Sequence, residues 1–600
     1  MEQGKQQNKT ALHEDWQEMF GGSRLEDLHS AIIGASQTIF AQGLSRWALY
    51  YGLALLLPRL KRTVLLITPS PKQAWEAHES LSFFLGLSES WTGDPLECPL
   101  FHFPAANRRM VAEPFIAPDV QGQRLAILCA AAASNRAKII VASAQAVMEK
   151  VLPRRHCMDA CRYLVKGEKI HREEFISHLT SIGYYRTDLV EEVGDLSVRG
   201  DIIDLYSPLY HRPLRLEFFD QVLESIRFFN PATQRSSEPL EDVIVVPTHE
   251  ILLNKSSLDR ANSSLKLALE REGQFRSDLE LWLDRVGNSG HFPGIEQLLP
   301  LFYEKLETLF HYLSPSTLVV LSNSGEIKKT VAELLKQAGR DRDFAGQNSR
   351  WTPSPETYLI DAREMERLLQ PFPQIFQSSL PVEYGHDGES SKALSFRLGD
   401  HRGLQREIQD HHQRQKLLEP LANKLLHWQK AGISPFLVCR TAEQGRRLEE
   451  LLTDYGVDAR FSSEPFGQLS FRAPVTKIVV GRLPTGFIWP DEGLAIVSET
   501  ELYGEKPRRH RVRPPEIGSF LASFAELQLD DFVVHLDHGI AVYKGLVHLK
   551  INEHSNDFLL LEYQDGDLLY LPVDRLDRVQ KYIGVEGFQP RVDKLGGQRW

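Results

Sequence analysis

Short apolar runs alternate with longer amphipathic stretches through the first 160 or so positions. Thr63-Val-Leu-Leu-Ile-Thr-Pro69 has no polar alternation and ends at a proline, so it reads as a strand buried on both faces in a parallel sheet. The helical pattern from Pro71 to Phe84 completes a strand–helix unit. Lys138-Ile-Ile-Val-Ala-Ser143, with a helix running to Val151, repeats it. Ser36 to Leu57 reads as one helix, with Pro58 to Lys61 as its stop. Strands separated by helices predict an open α/β sheet of the nucleotide-binding type.

From residue 162 to 249 the period changes. Val198-Arg-Gly-Asp-Ile-Ile-Asp-Leu-Tyr206, Pro213-Leu-Arg-Leu-Glu-Phe-Phe219 and Val222-Leu-Glu-Ser-Ile-Arg-Phe-Phe229 read as strands, the last two joined through Asp220 and Gln221 as a hairpin. With a helix at Arg172 to Ile182, this predicts a small α+β domain inserted in the α/β domain. Helical patterns then run from Ser256 to Leu313, followed by a strand (Ser316 to Leu321) and a helix (Ile327 to Gln337). The polar stretch Gly385 to Lys392 reads as a linker. Beyond it, Ser434-Pro-Phe-Leu-Val-Cys439 with the helix Ala442 to Leu452, then Lys477 to Val480 and Leu494 to Val497, predict a second, smaller α/β domain. Lys506-Pro-Arg-Arg-His-Arg-Val-Arg-Pro-Pro515 is basic and proline-rich, and should be extended. Short strands at Phe532 to Leu536, Ile540 to Tyr543, Phe558 to Tyr563 and Leu568 to Leu571, with Asp565-Gly566 as a turn, predict a small five-stranded barrel. The expected division is 1–161 with 250–384, 162–249, 393–505, a linker at 506–524, the barrel at 525–584, and a connecting segment at 585–600.

Composition narrows the function without naming it. A chain of 600 residues needs several cores, roughly three to five domains. A net charge of −11 argues against nucleic acid being bound over the whole surface, though not against a local basic patch. The N-terminal residues are polar, and the apolar stretch Trp47 to Leu57 is about half of a membrane span, so a cytoplasmic protein without a membrane partner is expected. Cys157 and Cys161 lie near His156, but no second ligand pair follows, so the five cysteines are expected to be spare thiols and no metal site is expected.

An α/β sheet raises the possibility of nucleotide hydrolysis, which needs G-x-x-x-x-G-K-[ST] to cradle phosphates with backbone amides. The sequence has no such loop: the region reads Gly43-Leu-Ser-Arg-Trp-Ala-Leu49, and Lys328-Lys329-Thr330 lies inside a helical pattern without preceding glycines. Pro490-Asp-Glu-Gly493 has adjacent carboxylates but no apolar strand leading into them, so it reads as a loop. No nucleophile elbow or zinc-protease helix is present, and no catalytic residue is assigned.

Two segments carry a resemblance. Arg199-Gly-Asp-Ile-Ile-Asp-Leu-Tyr206, Pro213 to Asp220 and Ile226-Arg-Phe-Phe-Asn-Pro-Ala-Thr-Gln-Arg-Ser236 resemble the module shared by UvrB and the transcription-repair coupling factors (Mfd), which in that family binds UvrA. Asp531-Phe-Val-Val-His-Leu-Asp-His-Gly-Ile-Ala-Val-Tyr-Lys-Gly545, continued by Leu569-Tyr-Leu-Pro-Val573, resembles the RNA polymerase-interacting domain of the coupling factors and the CarD family. UvrB lacks this second domain, so the pair selects the coupling factors; Val497 to Gly504 and Lys594 to Gly597 are weaker matches. The resemblance implies a degenerate P-loop NTPase-like first domain, an inserted UvrA-binding-type domain and an SH3/Tudor-like C-terminal barrel. In that family a double-stranded-DNA translocase, the part that uses ATP and Mg, follows the polymerase-interacting domain. The motor would begin near Trp600, so the chain is expected to be a fragment or a motorless form.

On this resemblance, Arg199, Arg215, Phe219 and Asp220 correspond to the UvrA surface, and Tyr543, Leu546, Leu549 and Lys550 to an edge that pairs with a strand of the polymerase β subunit. From the residues alone, Arg215 would be a solvent-facing strand position, Phe219 ordinary core, and Leu549 barrel core. Gly539 is expected to permit a tight bend that His535 and His538 decorate. Lys506, Arg508, Arg509, Arg511 and Arg513 are either a DNA contact or a solvated linker. The expected function is an adaptor in transcription-coupled nucleotide-excision repair; the alternatives are a UvrB-like ATP-dependent excision enzyme and a CarD-like transcription regulator.

Overall fold

The computed structural model describes residues 24–34, 38–87, 95–106, 118–134, 136–288, 290–292, 294–380, 391–411, 418–469, 475–503, 530–535, 538–551, 554–572, 579–581, 592 and 594. The chain begins its first sheet with β1 (Thr38–Gln42), β2 (Val64–Thr68), β3 (Leu100–Phe103) and β4 (Ile139–Ser143). It then leaves for an inserted unit made of β5 (Arg162–Val165), β6 (Tyr185–Arg186), β7 (Asp195–Arg199), β8 (Ile202–Leu205), β9 (Leu214–Phe219), β10 (Val222–Phe229), β11 (Ser236–Leu240) and β12 (Asp242–Val245). Returning, it adds β13 (Leu318–Ser322), β14 (Gln374–Ser378) and β15 (Ser391–Ser395) to the first sheet, whose order is β15-β1-β14-β13-β2-β4-β3. All of its ladders are parallel, and every residue of β2, β4 and β13 is buried. Strands buried on both faces read as continuous apolar runs, which is why β2, β4 and β13 stand out in the sequence.

Three expectations change here. The helix expected from Ser36 is two elements: β1, then a helix Arg46–Leu60 that is buried almost all round. Gly43 breaks between them with φ +72°, and a Cβ there would meet the Phe396 carbonyl oxygen at 2.4 Å. The boundary near 384–393 also moves, because β15 pairs with β1 and Phe396 N donates to Gln42 O at 2.8 Å. The expected linker at 385–392 lies outside the described residues up to 390 and is strand from 391. Finally, the expected strand Val198–Tyr206 is a hairpin, β7 to β8, turning at Gly200 with φ +55°.

The second α/β unit has β16 (Ser434–Cys439), β17 (Ala459–Ser462), β18 (Thr476–Val480), β19 (Phe487–Trp489) and β20 (Leu494–Ser498), in the order β17-β18-β16-β20-β19. It docks on the first unit through aromatic side chains. The ring of Phe466 lies 4.9 Å from Phe83, 5.4 Å from Phe84 and 5.2 Å from Phe436, with Tyr51 at 6.2 Å. A Cβ on Gly481 would fall 2.2 Å from Phe83, so the seam has no room for a methyl group. Contrary to expectation, an apolar strand, β19, does lead into Pro490-Asp-Glu-Gly493. Glu492 Oε1 there accepts from Leu25 N at 3.1 Å, at the start of the helix Arg24–Ile33, which is a structural use of the carboxylate.

The last unit is an antiparallel sheet of β21 (Phe532–His535), β22 (Gly539–Ile551), β23 (His554–Glu562), β24 (Leu568–Pro572) and β25 (Val579–Lys581), ordered β24-β23-β22-β21-β25. Its core holds Val533, Ala541, Tyr543, Leu559, Leu561, Tyr563, Leu571 and Val579. No helix among the described residues is long and apolar enough to cross a membrane.

The inserted unit is fixed to the first by buried charge. Arg124, on the helix Pro118–Ala133, is fully buried; its Nε donates to Glu250 at 2.9 Å and its Nη1 to Glu149 at 3.1 Å and to the Pro104 carbonyl at 2.7 Å. Glu149 also accepts from Ala106 N at 2.6 Å. Removing one member of a buried ion pair leaves the other charge uncompensated, so Arg124→Met is expected to cost about 3–5 kcal/mol, read from denaturant unfolding. Phe466→Ala should cost about 3–5 kcal/mol of the docking between the two α/β units. In hydrogen exchange, β16 to β20 should then open separately from β1 to β4.

Candidate partner-binding sites

The inserted sheet runs β11-β10-β9-β8-β7-β6, and its strands alternate between a core face and an outer face. Leu214, Leu216 and Phe218 face the core with Ile203, Leu205, Leu223 and Ile226. Arg215, Glu217 and Phe219 take the other face. Register sets Ser197, Asp204, Arg215 and Arg227 side by side across four strands, and Arg199, Ile202 and Glu217 in the next row.

Asp204 organises this face. Its carboxylate accepts from Arg215 Nε at 2.7 Å and Nη2 at 2.9 Å, and from Arg199 Nη2 at 2.7 Å. Arg215 also gives Nη1 to the Gln234 carbonyl at 3.1 Å and stacks over Phe229 at 4.7 Å. Its side chain is only 13% exposed, so it is clamped rather than presented. Arg199 is 47% exposed while still holding Asp204. Phe219 is 71% exposed, the most exposed of the large hydrophobic side chains among the described residues. It ends β9 at a two-residue turn in which Asp220 adopts φ +56°, a conformation that Asp tolerates better than most residues.

The structure thus brings Arg199, Arg215, Phe219 and Asp220 to one sheet and its hairpin tip, and it corrects the reading of Phe219 as ordinary core. Sequence reasoning missed Asp204, a carboxylate flanked by apolar strand residues whose partners lie on the neighbouring strands. A lone acid inside Ile202-Ile-Asp-Leu205 was the available signal.

In the last unit, among the described residues, β22 outruns β21. Phe532 to His535 pair with residues 539–542, whereas β23 pairs with β22 as far as Ile551. A register shift between Tyr543 and Leu546 contains Gly545 at φ +107°, a bulge that needs glycine. Leu546, Leu549 and Lys550 pair with Leu559, Asn556 and Ser555 of β23, so the expected edge already has one neighbour. Tyr543 is buried in the sheet core, which changes its expected role from surface contact to core. Gly539 has φ +79°, as a tight bend requires, but His535 is buried rather than decorative and stacks on His538 at 4.7 Å. Lys506, Arg508, Arg509, Arg511 and Arg513 lie outside the described residues.

At the position where a nucleotide loop would follow the first strand, β1 and the helix Arg46–Leu60 are joined by three residues, Gly43 to Ser45. Ser45 Oγ accepts from Ala48 N at 3.3 Å, and Arg46 stacks on Trp47 at 4.4 Å and reaches Glu76 at 3.6 Å. The helix N-terminus is capped by its own chain, and the turn is shorter than a phosphate-cradling loop.

Two family models match the chain. The UvrB interaction domain matches residues 163–250, and the CarD-like/TRCF RID domain matches residues 527–583. The chain is 30% identical to the transcription-repair-coupling factor of Myxococcus xanthus over 94% of its own length and 47% of that protein. It is 27% identical to that of Bacillus subtilis (strain 168), over 80% of its length and 40% of the relative. For Staphylococcus aureus (strain USA300) the identity is 25%, over 96% and 48%. The chain spans about half the length of the curated relatives it matches.

Within the UvrB interaction domain, Asp204→Asn should weaken three charge-assisted hydrogen bonds and lower the stability of that unit by about 2 kcal/mol. Amide exchange in β8 and β9 is the check, with acceleration there and little change in β21 to β25.

Proposed function

We propose that this chain, which carries a UvrB interaction domain and a CarD-like/TRCF RID domain and is similar along most of its length to transcription-repair-coupling factors, is an adaptor in transcription-coupled nucleotide-excision repair. One surface holds RNA polymerase stalled at a DNA lesion, and the other recruits UvrA. The observation that carries this reading is Phe219, an aromatic side chain left 71% exposed on a hairpin whose neighbouring arginines are held in place by a buried carboxylate.

The chemistry fits a protein partner. A rigid exposed phenylalanine gains about 2 kcal/mol or more when a partner's pocket covers it. Arg199 offers a planar fork suited to a partner carboxylate, while Arg215 positions Asp204 and the strand beneath rather than making the main contact. Asp220 fixes the hairpin tip. In the last unit, the part of β22 carrying Leu546, Leu549 and Lys550 extends past β21, so its far side suits strand addition by the polymerase β subunit. Tyr543 supports that strand from the core.

The finer features belong to the same reading. The first unit is a P-loop NTPase-like domain with a degenerate nucleotide site, consistent with its three-residue turn, and the last is an SH3/Tudor-like barrel. The basic segment Lys506 to Arg513 touches double-stranded DNA beside the polymerase. ATP and Mg serve a translocase in the longer relatives, whose movement along DNA displaces the polymerase. A UvrB-like excision enzyme would need a phosphate cradle where Gly43 to Ser45 stand, and a CarD-like regulator would leave residues 163–250 without a purpose.

Calorimetry with purified UvrA and with the polymerase β subunit tests the reading. Phe219→Ala should weaken UvrA binding at least tenfold and leave β-subunit binding unchanged, and Leu549→Arg should do the reverse. Wild-type protein that binds neither partner, or a Phe219→Ala variant that binds UvrA normally, would contradict it.

A further inference from the structure

Three cysteines meet where the chain passes from the first unit into the inserted one. Cys129 Sγ lies 3.4 Å from Cys157 Sγ and 3.2 Å from Cys161 Sγ, and Cys161 Sγ is 3.3 Å from the Cys157 carbonyl. All are free thiols. Cys129 sits on the helix Pro118–Ala133 and Cys157 on the helix Arg154–Ala160, while Cys161 is that second helix's C-cap and the last residue before β5. From the inserted side, His178 Nε2 donates to the Ala160 carbonyl at 3.0 Å. The sequence had suggested only Cys157 and Cys161 beside His156. The structure supplies Cys129 as the third thiol, and sets His156 against the Tyr303 ring at 5.3 Å.

The spacing does not suit a metal. Tetrahedral zinc with Zn–S near 2.3 Å separates its sulfurs by about 3.8 Å, wider than either contact here. Among the described residues no group of three His, Cys, Asp or Glu side chains is arranged to hold a metal ion. Sulfur chemistry remains, and the three sulfurs differ in exposure: Cys129 and Cys157 are buried, whereas Cys161 is partly open to solvent.

We propose that this trio is a peroxide-responsive modification site, in which Cys161 is oxidised first and Cys129 then closes a Cys129–Cys161 disulfide. The Cys161 thiolate attacks one oxygen of hydrogen peroxide, the O–O bond breaks, and a sulfenic acid and hydroxide result. The Cys129 sulfur then attacks the Cys161 sulfur, the sulfenic oxygen leaves as water by taking the Cys129 proton, and the hydroxide from the first step takes up the proton that Cys161 released on ionising. Two thiols and one peroxide give one disulfide and two waters. Cys161 is the one sulfur of the three partly open to solvent, so it is the one peroxide reaches, and hydrogen bonds from the Cys129 and Cys157 thiols hold it below the ordinary thiol range. The same thiol–thiol contacts, with burial, raise Cys129 well above the ordinary thiol range, which suits it to act second. Closing the pair needs the sulfurs to approach from 3.2 Å to about 2.05 Å. The bond would tie the helix that carries Arg124 to the first residue before β5, stiffening the base on which the Phe219 face stands. A thiol pool reverses it by exchange.

The test treats the full chain with equimolar hydrogen peroxide, blocks remaining thiols with N-ethylmaleimide and maps disulfide-linked peptides by mass spectrometry. The five free thiols should fall by two, with a Cys129–Cys161 cross-link that dithiothreitol removes. Cys157→Ser should still form the cross-link, whereas Cys161→Ser should lose no thiol. Hydrogen exchange across 154–165 should slow in the oxidised wild type. Retention of all five thiols, equal thiol loss in wild type and Cys161→Ser, or accumulation of Cys161 sulfinic acid without a cross-link would each overturn the proposal. The wild-type peptide map decides even if a serine variant fails to fold.

Discussion

Arg124 stands between Glu149 and Glu250 with all three side chains buried, and the arrangement of the first two units depends on it. Glu149 caps the short helix Ala144–Met148 that follows β4, and Glu250 lies where the chain returns from the inserted domain. Charges removed from water are tolerated only where geometry and extra hydrogen bonds satisfy them. Here the Pro104 carbonyl, the Ala106 amide and the Phe103 ring, 4.5 Å from the guanidinium, add to the shell, although Arg124 Nη2 is buried without a hydrogen-bond partner among the described residues. Displacing the inserted domain would strand a carboxylate or the guanidinium in an apolar core. A contact of this kind contributes less through net energy than by selecting one packing among several, and it sets the base from which β5 to β12 project.

The two surfaces proposed for binding use different physics. On the inserted sheet, side chains carry recognition: Asp204 holds two arginines and leaves Phe219 as a rigid apolar knob. On the last sheet the proposed recognition is through the backbone, because among the described residues β22 continues beyond β21. Each is local, so one chain can serve two partners without either surface having to change the other. The adaptor reading needs only that both surfaces be present together.

The sequence was most readable where burial is simple. β2, β4, β16 and β20 are buried at every residue and appeared as unbroken apolar runs. β1 was hidden because Thr38-Ile-Phe-Ala-Gln42 is a short run, buried only at alternate residues, that leads almost directly into an apolar helix. β15 was missed because an edge strand with only Leu394 buried carries a weak signal, and β7 and β8 merged because Gly200 and Asp201 make a turn too short to interrupt the pattern. The site residues divide in the same way. Phe219 and Asp220 were visible through resemblance and hairpin spacing. The roles of Asp204, Arg124 and Cys129 come from partners distant along the chain or across strands, and no local pattern encodes such pairings.

Sedimentation of a mixture of UvrA, the RNA polymerase β subunit and this chain tests the adaptor role. One complex containing all three is expected, with no association of UvrA and the β subunit when the chain is left out. Two separate binary complexes that exclude each other, or sedimentation of the chain alone, would contradict it.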